Sequence, residues 1–292
     1  MPIVRGKPFS LLLAVLAAVL SVEAAGPLVI TSVARSIRPG ELVVVTIATT
    51  KAPASLRVRA FDKDLPAFRV DSGTWRVLVG IDLATAPGRY PVEVDAETGS
   101  AGDRAAHVLV VRARAFPTRT VTVAEGFVNP PPEAVARIQQ EAQELEQLWR
   151  SSASSRLWDG AFVRPVPDPA NSAFGARSVF NGQPRSPHGG ADFLSPAGTP
   201  VKAPNAGRVA LARDLYFTGN TVVIDHGLGL FSLFAHLSEV DVEAGAAVAT
   251  GDVVGRVGAT GRVSGPHLHW TVRAGGARVD PLSLLAVLGT KP

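Results

Sequence analysis

Ser186-Pro187-His188-Gly189-Gly190-Ala191-Asp192-Phe193, read together with Gly265-Pro266-His267-Leu268-His269-Trp270, decides how the rest of the chain is understood. In an extended strand side chains alternate between faces, so His267 and His269 point the same way and can converge on one centre. His188 and Asp192 would share a face on a helix, but Gly189 and Gly190 make a helix costly there; a loop running into a strand at 191–193 is expected. Zinc takes imidazole nitrogen and carboxylate oxygen, and catalytic zinc sites use three protein ligands with a fourth position left for water. Three histidines and one aspartate are one ligand more than that, which leaves one histidine beside the metal to handle protons.

The chain has six histidines, and five of them fall after residue 187: His188, His226, His236, His267 and His269. A single His-x-His arises by chance in any strand; the combination is far more specific. His188 and Asp192, then Phe234-Ala235-His236-Leu237-Ser238, then Gly265-Pro266-His267-Leu268-His269 follow one another in an order and spacing that resembles the M23 family of zinc endopeptidases, the lysostaphin-like or LytM-type peptidoglycan hydrolases. The likeness covers about residues 162–285. Supporting pieces are Gly207-Arg208-Val209, the run from Gly219 to Gly227, and Gly251-Asp252-Val253-Val254-Gly255. The resemblance implies that His188, Asp192 and His269 bind one Zn2+ per chain, while His236 and His267 sit beside the water it activates. No motif position is substituted.

The first 25 residues carry Arg5 and Lys7, an apolar run over 11–20 and then Ser21-Val22-Glu23-Ala24-Ala25-Gly26, the layout of a secretory signal peptide cut near Ala24 or Ala25. Ten to twelve apolar residues fall short of the roughly 20 that cross a bilayer, so no permanent membrane anchor is expected. Cysteine is absent, which excludes disulfides, thiolate zinc ligands, thiol nucleophiles and a lipid-modified cysteine. Formal charge is +4, and removing Arg5, Lys7 and Glu23 with the leader leaves +3. That mild excess suits an anionic polymer, and nothing shows the clustered basic and aromatic pattern of a nucleic-acid binder.

From 26 to 117, short β-branched runs alternate with turns at Pro39-Gly40, Asp71-Ser72-Gly73, Pro87-Gly88 and Thr98-Gly99. Strands are expected at 28–33, 42–49, 56–61, 74–81, 90–95 and 105–111, which suggests an immunoglobulin-like β-sandwich. His107 falls in a strand with no evident partner and reads as an ordinary strand residue.

Residues 118–158 read as a helical linker. After Asn129-Pro130-Pro131-Pro132-Glu133, the residues Val135, Ile138, Ala142, Leu145 and Leu148 recur at helical spacing among Gln, Glu and Arg, and Ser151 to Ser155 end the helix. Proline is well tolerated in its first turn.

Residues 159–292 are rich in glycine, proline and β-formers, with strands expected near 201, 207–212, 220–225, 231–236, 253–257 and 268–273. The resulting fold class is mainly β: a sandwich, a helical linker and a LytM-like antiparallel sheet folded into a groove. Asp225-His226-Gly227 reads as a hairpin turn, with His226 structural. Phe231, Leu233 and Ala235 share one face of their strand and Ser232, Phe234 and His236 the other, and parity alone does not decide which face lines the groove. Trp270 should point away from His269 into the core. Arg185, Tyr216 and Asn220 flank the motifs and are candidate substrate contacts.

The expected function is an exported zinc endopeptidase acting on peptidoglycan peptide stems, in the periplasm or alternatively secreted, with a D-alanyl to diaminopimelate bond as the first substrate and glycyl bonds as the second. His236 and His267 would divide the work of orienting or deprotonating water and stabilising the oxyanion. A non-catalytic wall-binding or hydrolase-activating module is the alternative, and its mark would be lost ligands.

Overall fold

Alternation through the N-terminal third produces β1 (Glu23–Ala24), β2 (Leu28–Ala34), β3 (Leu42–Thr49), β4 (Ser55–Ala60), β5 (Lys63–Leu65), β6 (Ala67–Arg69), β7 (Thr74–Gly80), β8 (Gly88–Glu97) and β9 (Gly102–Val111). The computed structural model describes residues 23–24, 28–97, 102–171 and 174–289. The expected leader, 1–25, lies outside them except for Glu23 and Ala24. One antiparallel sheet runs β1-β2-β3-β7-β6 and the other β5-β4-β8-β9. Val43, Val45, Ile47, Val77 and Val79 of the first pack on Val58, Val92, Val94 and Leu109 of the second, forming a two-sheet sandwich.

The unbroken run Leu42-Val43-Val44-Val45 departs from alternation for a physical reason. Val43 and Val45 face the sandwich core, while Leu42 and Val44 join a second core shared with the C-terminal half. A strand buried on both faces has no use for polar alternation.

The C-terminal half contains β10 (Thr118–Val121), α1 (Pro132–Leu148), β11 (Arg177–Phe180), β12 (Gln183–Pro184), β13 (Gly190–Phe193), β14 (Pro200–Lys202), β15 (Gly207–Leu215), β16 (Gly219–Gly227), β17 (Leu230–Val240), β18 (Ala247–Val248), β19 (Val253–Val257), β20 (Leu268–Ala274), β21 (Ala277–Val279) and α2 (Pro281–Leu288). Its main sheet has the order β13-β20-β17-β16-β15-β18, all antiparallel. Phe193, Phe234, Trp270 and Val272 cover one face with Phe162 and Leu284. On the opposite face Leu211, Val223, Phe231 and Leu233 receive Leu145 and Leu148 of α1.

Four local expectations shift. The buried stripe of α1 includes Ala134, Glu141 and Leu148, while Val135 is exposed, so the helix is rotated relative to its apolar pattern. Glu141 tolerates burial because Arg137 Nε donates to it at 2.6 Å and the Tyr216 amide at 2.8 Å. His226 lies inside β16, not in the turn; the turn is Leu228-Gly229, both at positive φ (54° and 77°), the backbone of a two-residue type I′ hairpin. His107, expected without a partner, meets Ser32 Oγ at 3.0 Å. The segment 118–158 holds more than a helix, since β10 pairs in parallel with β11.

Candidate metal centre

Antiparallel pairing sets Asp192 of β13 directly beside His269 of β20, and His269 beside Ala235 of β17. Paired residues project to one face, so Asp192 and His269 share the face that α1 covers farther along, and Trp270 points into the opposite core, stacked on Phe234. β13 can approach β20 this closely because residue 190 is glycine: a Cβ there would stand 2.4 Å from the Trp270 carbonyl oxygen and 2.8 Å from the His269 ring. His188 arrives from the preceding loop, held by its amide to Ala176 O at 2.9 Å and by the Gly175 amide to its own carbonyl at 2.7 Å.

His188 Nε2, His269 Nδ1 and Asp192 Oδ1 then lie 2.9 Å from one another, a triangle of donor atoms. Hydrogen bonding alone does not account for it. If both imidazoles gave an N–H to the carboxylate, those two N–H groups would confront each other at 2.9 Å. His269 Nε2 is within 3.0 Å of Thr271 Oγ1, and donation to that hydroxyl leaves the Nδ1 lone pair aimed at the triangle. Two imidazole nitrogens and one carboxylate oxygen on one point fit a cation once His188 Nε2, like His269 Nδ1, presents its lone pair, and the ligand types suit zinc.

Burial by itself raises the Asp192 carboxyl, but the imidazoles of His188 and His269 against it override that and hold the group well below the usual carboxylate range. Burial pushes His269 down, partly offset by Asp192. Asp192 Oδ2 is 3.3 Å from Arg119 Nη1 of β10.

His236 and His267 complete the arrangement by different routes. His236 is two residues after Phe234, so strict alternation would send it to the Trp270 face. A bulge in β17 intervenes: Val222 pairs with Phe234 but Asn220 with Leu237, so the strand carries one extra residue. His236 absorbs it with φ 65°, a left-handed conformation that costs roughly 1–2 kcal/mol and is fixed by its amide bonding Thr218 O at 2.8 Å. The ring is thereby brought to the site face, 5.0 Å from the His267 ring and 5.9 Å from that of His269. Nδ1 of His236 is 2.9 Å from Thr260 O, and Nδ1 of His267 is 2.8 Å from Gly265 O. Backbone carbonyls only accept, so each Nδ1 carries a proton and each Nε2 is left as an acceptor. Burial, reinforced by His269 and His267, pushes His236 down to about 3, so it stays neutral near pH 7.

All five residues line a cleft of about 330 Å³, together with Arg119, Ser178, Phe180, Phe217 and Arg262. Arg185, Tyr216 and Asn220 are committed elsewhere. Arg185 Nη2 bonds Val128 O and Gln183 Oε1, Tyr216 Oη donates to Gly126 O, and Asn220 Nδ2 donates to Leu237 O. His226 is fully buried between Ala206 O and Ser232 Oγ, and burial pushes it down to about 4. Sequence reasoning missed Arg119, Thr260, Thr271 and Arg262. A strand signal was present at Thr118-Arg119-Thr120-Val121, but its parallel pairing across 59 positions has no local mark.

The family model for peptidase family M23 matches residues 186–281. The peptidoglycan DD-endopeptidase ShyA of Vibrio cholerae is 41% identical over 97 residues, 33% of this chain and 23% of ShyA. The DD-carboxypeptidase/endopeptidase Mpg of Neisseria meningitidis is 42% identical over 97 residues, 33% of this chain and 22% of Mpg. The matched region thus spans about a quarter of these relatives. A Pseudomonas aeruginosa crystal structure described as an M23 peptidase is 33% identical, with a TM-score of 0.67, covering 86% of this chain and 95% of that one.

Proposed function

The chain belongs to peptidase family M23, and from that premise we propose that it is an exported zinc endopeptidase hydrolysing peptide cross-links of bacterial peptidoglycan, with D-alanyl to diaminopimelate as the bond cut. The observation that carries the reading is the triangle of His188 Nε2, Asp192 Oδ1 and His269 Nδ1, beside two imidazoles whose free Nε2 atoms are acceptors. Relatives named as DD-endopeptidases support the substrate. The apolar run at 11–20 supports export, with the periplasm as destination.

Zinc, once bound, supplies Lewis acidity toward a peptide carbonyl and toward water. The residues around it supply the proton handling. His236, buried and held neutral, uses Nε2 to orient the attacking water, since burial penalises the charge it would gain as a base. His267 Nε2 is the stronger candidate to take the water's proton and return it to the leaving amine nitrogen as the C–N bond breaks. Its Nδ1 anchor to Gly265 O holds the ring and stabilises the imidazolium in between.

The test is mass spectrometry of fragments released from purified cross-linked peptidoglycan by residues 26–292, with and without chelator. Chelator-sensitive conversion of cross-linked dimers to monomers is expected, with masses that identify the bond. Zinc bound without any fragment released would overturn the enzyme reading in favour of a wall-binding or hydrolase-activating module.

A further inference from the structure

Arg119 has the carboxylate of Asp192, but the second arginine of the cleft, Arg262, has no carboxylate partner among the described residues. Arg262 lies in the connection between β19 and β20, where its amide donates to Phe217 O at 2.8 Å. Its guanidinium is half-buried, 4.4 Å from the centre of the Phe217 ring and 4.8 Å from that of Phe180. Burial, with the nearby charge of Arg185, works against its protonated form. A cation kept in such a place is costly unless something anionic meets it. The two rings offset part of that cost, and they hold the planar fork in one orientation rather than neutralising it.

The position of this residue matters as much as its charge. The same connection provides Thr260 O, which holds His236 Nδ1, and runs on into His267. A group bound by Arg262 would therefore be fixed relative to the proton-handling histidines. Guanidinium presents parallel N–H groups that match a carboxylate. In a cross-link made through the side-chain amine of diaminopimelate, the carbon bearing the acylated nitrogen also bears a carboxyl group. Where that carboxyl is free, the scissile amide has an anion beside its leaving nitrogen, and a bond inside a glycyl bridge has none.

Resting on the function proposed above, we propose that Arg262 is a specificity-determining residue that binds the free carboxylate on the amine side of the scissile bond. The enzyme then discriminates against cross-links in which that carboxylate is amidated, and against glycyl bridges.

The test uses the full zinc-loaded chain and two synthetic cross-linked stem dimers that differ only in whether this carboxylate is free or a primary amide. Wild type should favour the free acid in kcat/KM by about 10- to 100-fold, the worth of a hydrogen-bonded charge pair, mainly through KM. Arg262→Met, which keeps a stem to pack between the rings, should lower the free-acid rate to that on the amide, and Arg262→Lys should keep part of the preference. Equal rates for wild type on the two dimers, or a preference that survives in Arg262→Met, would overturn the subsite and leave the endopeptidase standing. Cleavage of neither dimer by zinc-bound wild type would overturn both. Should the variants fold poorly, calorimetry on the wild-type holoenzyme with the two amine-side product stems decides: tighter binding of the free acid supports the subsite, and equal binding sinks it.

Discussion

Two buried clusters of ionisable side chains in this molecule look alike by burial and differ in what they can bind. At the junction of sandwich and C-terminal half, Arg35 Nη2 lies 2.7 Å from both Glu41 and Asp280, and Arg114 contacts the same two carboxylates at 3.3 and 3.6 Å. Ser283 Oγ donates to Glu41 at 2.8 Å, and the Leu282 amide to Asp280 at 3.0 Å, capping α2. Two cations face two anions and each carboxylate oxygen has an N–H or O–H. In the cleft, by contrast, Asp192 Oδ1, His188 Nε2 and His269 Nδ1 face one another at 2.9 Å, and with the carboxylate ionised no placement of protons gives every pair both a donor and an acceptor. The lesson lies in donor counting: a self-satisfied cluster is a joint, and a cluster with converging lone pairs asks for a cation.

Substituting the converging atoms should have the largest effect. His188→Ala or Asp192→Ala should abolish stoichiometric zinc in the purified protein and lower kcat/KM by about 10³-fold or more, the several kcal/mol a catalytic metal contributes. Full zinc occupancy in either variant, measured by plasma mass spectrometry, would break the comparison. His267→Ala comes next. Zinc should remain while kcat falls by about 10²- to 10⁴-fold, the usual range for a lost general base or acid. An unchanged kcat would remove His267 from the proton path.

The joint should answer in the other currency. Glu41→Gln leaves Arg35 and Arg114 facing Asp280 alone and should cost about 3–5 kcal/mol of stability, read from urea denaturation, as breaking a buried ion network does. Zinc content and kcat of the folded fraction should be unchanged. A variant that kept its stability but lost zinc would mean that the two clusters are coupled and the contrast between them is false.

The residues of the candidate centre were legible because their signals are local: His188 and Asp192 four apart around two glycines, His269 two after His267 in a strand. His236 was legible as a motif residue but not as to its side, because one extra residue in β17 reverses parity and nothing in Phe234-Ala235-His236 announces it. The strands of the sandwich followed from alternation, and the run at 42–45 yields its two-sided burial only once α2 and the main sheet are in place. The α1 face was misjudged because apolarity ranks Val135 above Glu141, whereas the fold satisfies Glu141 through Arg137 and the Tyr216 amide. Arg119 on Asp192 and Arg35 on Asp280 are contacts across 73 and 245 positions, which periodicity does not reach.

A third cluster, at the edge of the same junction, sharpens the distinction with the smallest effect. Asp82, after β7, accepts from Arg278 Nη2 at 2.6 Å and Nε at 3.1 Å, and from the amides of Arg278 and Ala84 at 2.8 and 2.9 Å. Burial opposes its ionisation, but the Arg278 and amide hydrogen bonds prevail and its pKa falls from 3.8 to about 2. A depressed folded-state pKa means that the stabilisation is complete above the unfolded value and disappears as pH drops from about 4 to about 2. With the side chain 31% exposed, solvent screening reduces its worth to about 1 kcal/mol. Asp82→Asn should therefore be less stable than wild type by that amount at pH 6 and equal to it near pH 2, when the two are compared by urea midpoints. A gap that stayed constant across the window would show that the side chain acts through packing, and that charge at this edge, unlike charge at the buried joint, contributes nothing.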